Sequence, residues 1–141
     1  DLKRAMGRLE NLGSHDALVI LRAAFGSPVI LNILRSSPCF GNSMLERFDA
    51  ILRSGLESIV NCRLDDLAWY QATLPIKNGG LGIRSVSMLA PSAFLASAAS
   101  TLQLQRAILL NSDLSEDTWV ARCTEYWSLQ FDSLTLKTLL I

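Results

Sequence analysis

The sequence predicts an all-α fold: a single domain of six or seven helices packed as an irregular bundle. Three observations support this prediction. Apolar residues recur at three- and four-residue spacing, no segment alternates apolar and polar residues with period two, and turn-forming residues separate the periodic stretches. The 141 residues are 50% hydrophobic and only 18% charged. An average soluble domain has about 25% charged residues, so we expect a sizeable core or a covered surface.

The N-terminal part predicts two short helices. Ser14 is placed to cap a helix that begins at His15 and continues at helical spacing to Gly26. Pro28 suits the first turn of a second helix, Val29–Arg35, because proline lacks an N–H that would be unpaired there.

The clearest amphipathic pattern begins at Ser43 and continues for about five turns. Ser43 and Glu46 have the spacing of an S-x-x-E capping box, in which each side chain pairs with the backbone of the other. One side of this helix is apolar: Leu45, Phe48, Leu52, Leu56, Ile59 and Val60. The exposed side is predicted to be charged: Glu46, Arg47, Asp49, Arg53 and Glu57.

The middle of the chain predicts a short helix followed by a glycine turn. Asp65 can cap the helix, which must end before Pro75 because the residue that precedes proline resists helical geometry. The segment 77–82, KNGGLG, is the strongest turn-forming stretch of the sequence.

Three further helices are predicted after the glycine turn. The first is Ser85–Leu89, and Pro91 opens a longer one that runs to about Leu110. Ser115 is placed to cap the last helix, and the final ten or so residues are expected to form a loose tail. We therefore divide the chain into a helical region, residues 1–112, and a C-terminal helix with its tail, residues 113–141, which is packed on that region or partly loose.

Charge and cysteine content limit the possible functions. The formal net charge is zero, but residues 1–112 contain 11 Lys/Arg and 8 Asp/Glu, which permits nucleic-acid contact without requiring it. The three cysteines form no CxxC pair and there is one histidine, so we expect no metal site and reduced thiols. No signal peptide and no membrane-spanning helix are expected, which predicts an intracellular protein, nuclear or cytoplasmic.

Two groups of residues suggest catalysis at first sight. Asp65 and Asp66 resemble the paired aspartates that hold metal ions in polymerases, but a helix follows them directly, so the capping interpretation is favoured. His15 and Asp16 are adjacent and would point apart on a helix. We therefore predict that the chain is not an enzyme and has no catalytic residue, metal or cofactor.

The glycine turn and the aromatic residues allow more than one interpretation. The turn could cradle phosphates through its amides, form a tight turn that needs positive φ, or contact a nucleic-acid backbone with help from Lys77 and Arg84. Trp69 and Trp119 could stack on bases, but beside leucine and alanine at helical spacing they are more typical of core residues.

Three blocks of sequence resemble non-LTR (LINE-type) retrotransposon reverse transcriptases. They are WYQATLP at residues 69–75, GGLGIRS at 79–85 and LAPSAFLASA at 89–98. In that family similar strings lie downstream of the polymerase palm. The upstream segments LENL, residues 9–12, and HDAL, residues 15–18, are also similar to the family's helical region after the catalytic core. The resemblance covers roughly residues 2–110.

The resemblance implies a non-catalytic thumb or connection segment of a reverse transcriptase. In the full-length protein such a segment would help to hold template–primer, an RNA–DNA or DNA duplex, beside the palm and fingers. The matching positions expected to contact the nucleic-acid backbone are Gln71, Lys77, Gly79, Gly80 and Arg84. The alternative is a structural or protein-interaction helical domain without nucleic-acid binding, a relic of a decayed element.

Overall fold

A computed structural model describes residues 2–109 and 117–139, the last nine of these by their backbone alone. This part of the chain is helical and has no strand, which confirms the predicted all-α domain. Its seven α-helices are α1 (Leu2–Leu9), α2 (Ser14–Ile20), α3 (Leu31–Ser36), α4 (Ser43–Val60), α5 (Asp66–Thr73), α6 (Val86–Ile108) and α7 (Thr118–Leu139). A π-helical turn (Leu21–Phe25) and two 3-10 turns (Ser27–Val29 and Ile76–Asn78) complete the helical segments.

Within this fold the chain forms two compact units. The first unit comprises Asp1–Leu31 and Asn42–Met88, and the second comprises Asn32–Gly41 and Leu89–Ile141. The predicted boundary between residues 112 and 113 lies outside the described residues, as does the predicted cap Ser115.

The first unit has a continuous aliphatic core. The buried faces of α1, α2 and α4 meet there, and α5 and the segment after the glycine turn close it. The core residues are Met6, Leu9, Ala17, Leu21, Leu52, Leu56, Ile59, Ala72 and Ile83. Full burial of a leucine contributes roughly 1.5–3 kcal/mol. Because Ala72 and Ile83, before and after the glycine turn, belong to this core, the core anchors both ends of the turn.

The second unit has a small aromatic core. The ring of Phe40 lies 5.4 Å from that of Tyr126 and 6.3 Å from that of Phe94, each tilted as aromatic pairs prefer. Gly41 has a φ of +72° and packs against the Tyr126 ring, so glycine is required there. Cys123 is fully buried, and its Sγ contacts the carbonyl oxygen of Pro91 at 3.5 Å.

The predicted caps of two helices are wrong by one residue. The first residue outside α4 is Asn42, whose Oδ1 accepts a hydrogen bond of 2.9 Å from the Met44 amide, and Ser43 is already helical. Helix α2 begins at Ser14, and Gly13 precedes it without a side-chain cap. Serine and asparagine cap helices almost equally well, so the sequence alone does not choose between Asn42 and Ser43.

The predicted helix before Pro28 ends differently, because α2 changes to a π-helical turn at Leu21–Phe25. The predicted helix Val29–Arg35 is also shifted. Pro28 lies in a short 3-10 turn, and α3 follows only at Leu31.

The two predicted helices around Pro91 are one helix. Helix α6 is continuous from Val86 to Ile108, with Pro91 in its second turn. Proline there removes one backbone hydrogen bond, and the complete burial of its ring offsets that loss. The prediction of a break at this position is therefore wrong.

Helix α7 differs from the prediction in its aromatic residues and in its length. Trp119 is 45% exposed, so its predicted place in the core is wrong, and the Arg122 guanidinium lies 4.6 Å from the centre of its ring. The Asp117 carboxylate accepts a hydrogen bond of 2.9 Å from the Trp119 amide at the start of the helix. The helix continues to Leu139, into the segment expected to be a loose tail.

One segment, Ser14–Ser36, is long and apolar enough by composition to cross a membrane, with a mean hydropathy of 1.9. Core helices pass the same test. In the structure this stretch is divided among short helical pieces, and two of its leucines, Leu21 and Leu34, are completely buried. Only 22% of the apolar window is buried, so the cores of the protein account for a small part of its apolar character.

Candidate nucleic-acid interface

Helix α5 is fixed at its start by the two aspartates that resemble a metal site. Asp65 lies just before the helix, and its Oδ1 accepts a hydrogen bond of 2.7 Å from the Ala68 amide, which is the capping role predicted for it. Asp66 is paired instead with Arg53 of α4, at 2.8 Å. Both carboxylates therefore have structural partners.

Arg53 and Glu57 of α4 also hold the segment that enters α5. The Arg53 guanidinium donates to the carbonyl oxygen of Leu64, and Glu57 Oε1 accepts from the Leu64 amide at 2.9 Å. Arg53 and Glu57 lie 3.9 Å apart as an i,i+4 pair. These contacts tie the start of α5 to α4 and so position the turn that follows α5.

Six consecutive amides, from Asn78 to Ile83, donate hydrogen bonds to carbonyls of the segment 72–76, directly before the glycine turn. Asn78 N–H and Gly79 N–H donate to the carbonyls of Pro75 and Ile76 at 2.8 and 3.0 Å. The following four amides continue the pattern: Gly80 to Pro75 (3.2 Å), Leu81 to Ala72 (3.1 Å), Gly82 to Leu74 (2.9 Å) and Ile83 to Ala72 (3.3 Å). A phosphate cradle needs free amides that converge on the anion, and these six amides, including those of all three glycines, are already paired.

The predicted contact residues Gln71, Gly79 and Gly80 have structural tasks in the turn. Gly79 has a φ of +80°, and a Cβ on Gly80 would overlap the Leu74 carbonyl and lie 2.7 Å from the Gln71 carbonyl oxygen. The Gln71 side-chain amide lies 3.5 Å from the Gly79 carbonyl oxygen. The two glycines are therefore explained by a tight turn, in which Gly80 has no room for a Cβ and Gly79 has a positive φ that glycine adopts most easily.

The turn leaves cationic side chains at the surface. Lys77 and Arg84 stand on either side of the glycines, and both are exposed. Arg22, from the π-helical turn, joins them, because its Cδ lies 3.2 Å from the place that a Cβ on Gly82 would occupy. Within the described residues none of these three cations forms an ion pair. We call Arg22, Lys77 and Arg84 the turn cations.

Sequence reasoning missed Arg22 as a member of this group. It lies about sixty residues before the glycine turn, and only the tertiary fold brings the two segments together. The available signal was weak: a π-helical turn often marks a functional position, but it is not readable from sequence.

Asp49, predicted to lie on the exposed face of α4, is 8% exposed and binds the start of α6. Its carboxylate accepts from the Val86 and Ser87 amides at 2.7 and 3.1 Å, and from the hydroxyls of Ser85 and Ser87, each at 2.6 Å. This tertiary cap fixes the segment that carries Arg84, and it removes a carboxylate from the surface near the turn cations.

Within residues 2–109 and 117–139, no three His, Cys, Asp or Glu residues form a group that could hold a metal ion. Comparisons with protein-family profiles, with curated proteins and with solved structures find no match to this chain.

Proposed function

We propose that this chain is a non-catalytic part of a retrotransposon-type reverse transcriptase that helps to hold the template–primer duplex. The observation that carries the proposal is the grouping of the three turn cations around the glycine turn, within the block of sequence that resembles that family. The sugar–phosphate backbone is the partner that exposed, unpaired cations of this kind suit.

The closed amides of the turn favour contact through side chains rather than through the backbone. Lysine and arginine reach phosphates at the surface of a duplex and release condensed counterions, so their contribution does not depend on base sequence. The turn acts in this proposal as a rigid support, because its hydrogen bonds and the capped start of α6 hold Lys77 and Arg84 in place. In this proposal the chain binds the duplex, and the palm, which lies upstream in that family, carries out the polymerisation.

The proposal is tested with a blunt RNA–DNA hybrid and fluorescence anisotropy at several salt concentrations. The triple variant Arg22→Gln, Lys77→Gln and Arg84→Gln should bind more weakly. The slope of log affinity against log salt should fall by about 1 for each phosphate that the variant no longer neutralises, roughly 3 in all.

A matched control removes three exposed cations elsewhere: Arg35→Gln, Arg47→Gln and Arg106→Gln. This variant has the same net charge as the first and should keep most of the affinity and slope. Equal losses in both variants would mean that only net charge matters, and a wild-type affinity below detection at low salt would refute the proposal.

Exposed apolar side chains favour a second candidate function, a structural or protein-interaction domain. Leu67 on α5 is 59% exposed and Ile76 at the glycine turn is 60% exposed. In a full-length reverse transcriptase, the palm and fingers would be the partner of such a surface. Sedimentation velocity separates the two candidates. The protein-interaction candidate would be favoured if the chain self-associates, if Leu67→Gln plus Ile76→Gln abolishes this self-association, and if the chain does not bind nucleic acid.

A further inference from the structure

A cleft with no assigned role lies between α1 and the π-helical turn of the first unit. Its volume is about 380 Å³, and its lining residues are Arg4, Ala5, Arg8, Leu9, Leu12 and Phe25. This volume falls within the range of small-ligand sites, roughly 300–1,000 Å³. We call it the α1 cleft.

The α1 cleft combines positive charge with an apolar floor. Arg4 and Arg8 are four residues apart on α1, so their guanidinium groups leave the helix on the same side, and both are exposed. Among residues 2–109 and 117–139 no carboxylate lines the cleft, so neither cation has an acidic partner there within the described part of the chain. A ligand that fills it must therefore be both anionic and partly apolar.

The floor of the cleft is preformed. Phe25 is half-buried and packs against the core of the first unit, which holds its ring in place, while Leu12 is 45% exposed at the rim. An aromatic ring held by a core is a platform on which a planar group can stack at little cost in conformational entropy. Its lining in the described part of the chain presents no side-chain amide or carboxylate that could read the edge of a particular base.

We propose that the α1 cleft takes one unpaired nucleotide of single-stranded nucleic acid, with the base against Phe25 and Leu12 and the phosphates on Arg4 and Arg8. A duplex keeps its bases stacked and hidden, whereas a single strand offers a free base face beside each phosphate. The lack of edge-reading groups makes the site tolerant of base sequence.

This inference rests on the proposed function and extends it to the strand that leaves the duplex. The segment Leu21–Phe25 contributes to both sites, because Arg22 lies against the glycine turn and Phe25 lines the α1 cleft. A template strand that continues beyond the duplex gripped by the turn cations would meet the cleft on the same unit. The first unit would then bind the duplex through the turn cations and the single strand through the α1 cleft.

The test compares a blunt RNA–DNA hybrid with the same hybrid carrying a short single-stranded template overhang. The wild-type chain should bind the overhang substrate about tenfold more tightly, in line with stacking of one base. An overhang of abasic residues should lose most of this gain. The ratio of the overhang affinity to the blunt affinity is the readout, and the abasic overhang, which carries the same phosphates, separates base stacking from the added charge.

Two variants locate the gain in the α1 cleft. Phe25→Leu keeps the apolar packing but removes the ring, and Arg4→Gln plus Arg8→Gln changes two exposed residues that form no ion pair within the described residues. Each should bring the affinity ratio close to one. The control Lys3→Gln plus Arg47→Gln removes the same charge from the same unit and should leave the ratio at the wild-type value.

The outcomes separate this inference from the proposed function. Tight blunt-duplex binding without an overhang gain, or a gain that survives both cleft variants, would overturn the inference and leave the proposed function standing. Binding of oligothymidylate that needs Arg4 and Arg8, without duplex binding, would support the cleft and overturn the duplex grip. Equal competition by a polyglutamate peptide would show a general anion site and overturn the nucleotide assignment, and absence of all binding would overturn both proposals.

Discussion

Replacement of Asp49 by alanine should destabilise the protein far more than any change at a surface carboxylate. The wild-type side chain accepts two backbone hydrogen bonds from the first turn of α6 and two hydroxyl hydrogen bonds, and it is 8% exposed. Together with Ser85 Oγ, which accepts from the Met88 amide at 3.3 Å, it pairs three amides at the start of that helix.

The magnitude follows from what alanine would leave behind. Loss of a helix cap costs roughly 0.5–2 kcal/mol, and each buried amide left without a partner costs about 1–3 kcal/mol. The two serine hydroxyls can rotate toward other acceptors, so we count only the Val86 and Ser87 amides. We expect a loss of about 3–4 kcal/mol for Asp49→Ala, a large share of the roughly 5–15 kcal/mol of a typical domain. Asp49→Asn keeps one acceptor oxygen and should lose about half as much.

Urea denaturation followed by circular dichroism at 222 nm measures these free energies of unfolding. With a slope of roughly 1–3 kcal/mol per molar urea, Asp49→Ala should lower the midpoint by roughly 1.5 M. Glu46→Ala, on the same helix but exposed, is the matched control and should change the free energy by no more than about 0.5 kcal/mol. A loss below about 1 kcal/mol for Asp49→Ala, or equal losses at both positions, would refute the reasoning.

Three further predictions concern single side chains. Gly80→Ala should destabilise the chain by about 3 kcal/mol or more, because its Cβ would overlap the Leu74 carbonyl. Gly79→Ala has open space around its Cβ and should cost only the roughly 1–2 kcal/mol of its positive φ. Urea denaturation measures both losses. Asn42→Ala should cost about 1 kcal/mol and Ser43→Ala almost nothing, and the reverse order would restore the capping box. Burial raises the pKa of the Cys123 thiol, electrostatic repulsion from Cys39 raises it further, and together they bring it to about 11. Its alkylation by iodoacetamide should therefore be very slow at pH 8, and stability should fall as the pH rises from about 9 towards 11, because the unfolded thiol ionises first.

Much of the fold could be predicted because it depends on short-range patterns. The periodicity of Leu45, Leu52 and Leu56 predicts the long helix α4 and its buried face, and all three are in fact buried. Asp65 could be identified as a cap since its partner is only three residues away. Such features need no knowledge of the rest of the chain.

The remaining features could not be predicted because they depend on tertiary contacts. Asp49 has the same periodicity as its charged neighbours on α4, and nothing local shows that the start of α6 lies against it. Pro91 signals a helix break by its chemistry, but its burial keeps α6 continuous. For the same reason, Arg22 joined the candidate site only once the fold had placed it against Gly82.

The glycine turn shows how the site should work if it binds nucleic acid. A flexible glycine loop would order on binding and lose affinity through entropy, whereas here six consecutive amides are already paired and the glycines permit close packing. These six amides are therefore not available to a phosphate, and the contribution of the turn comes from the side chains that it holds in place. The hydrogen bonds that make the turn stiff are the same ones that occupy its amide donors. If Arg22, Lys77 and Arg84 bind phosphates, the affinity should depend strongly on salt concentration. It should depend little on the flexibility of the glycine turn.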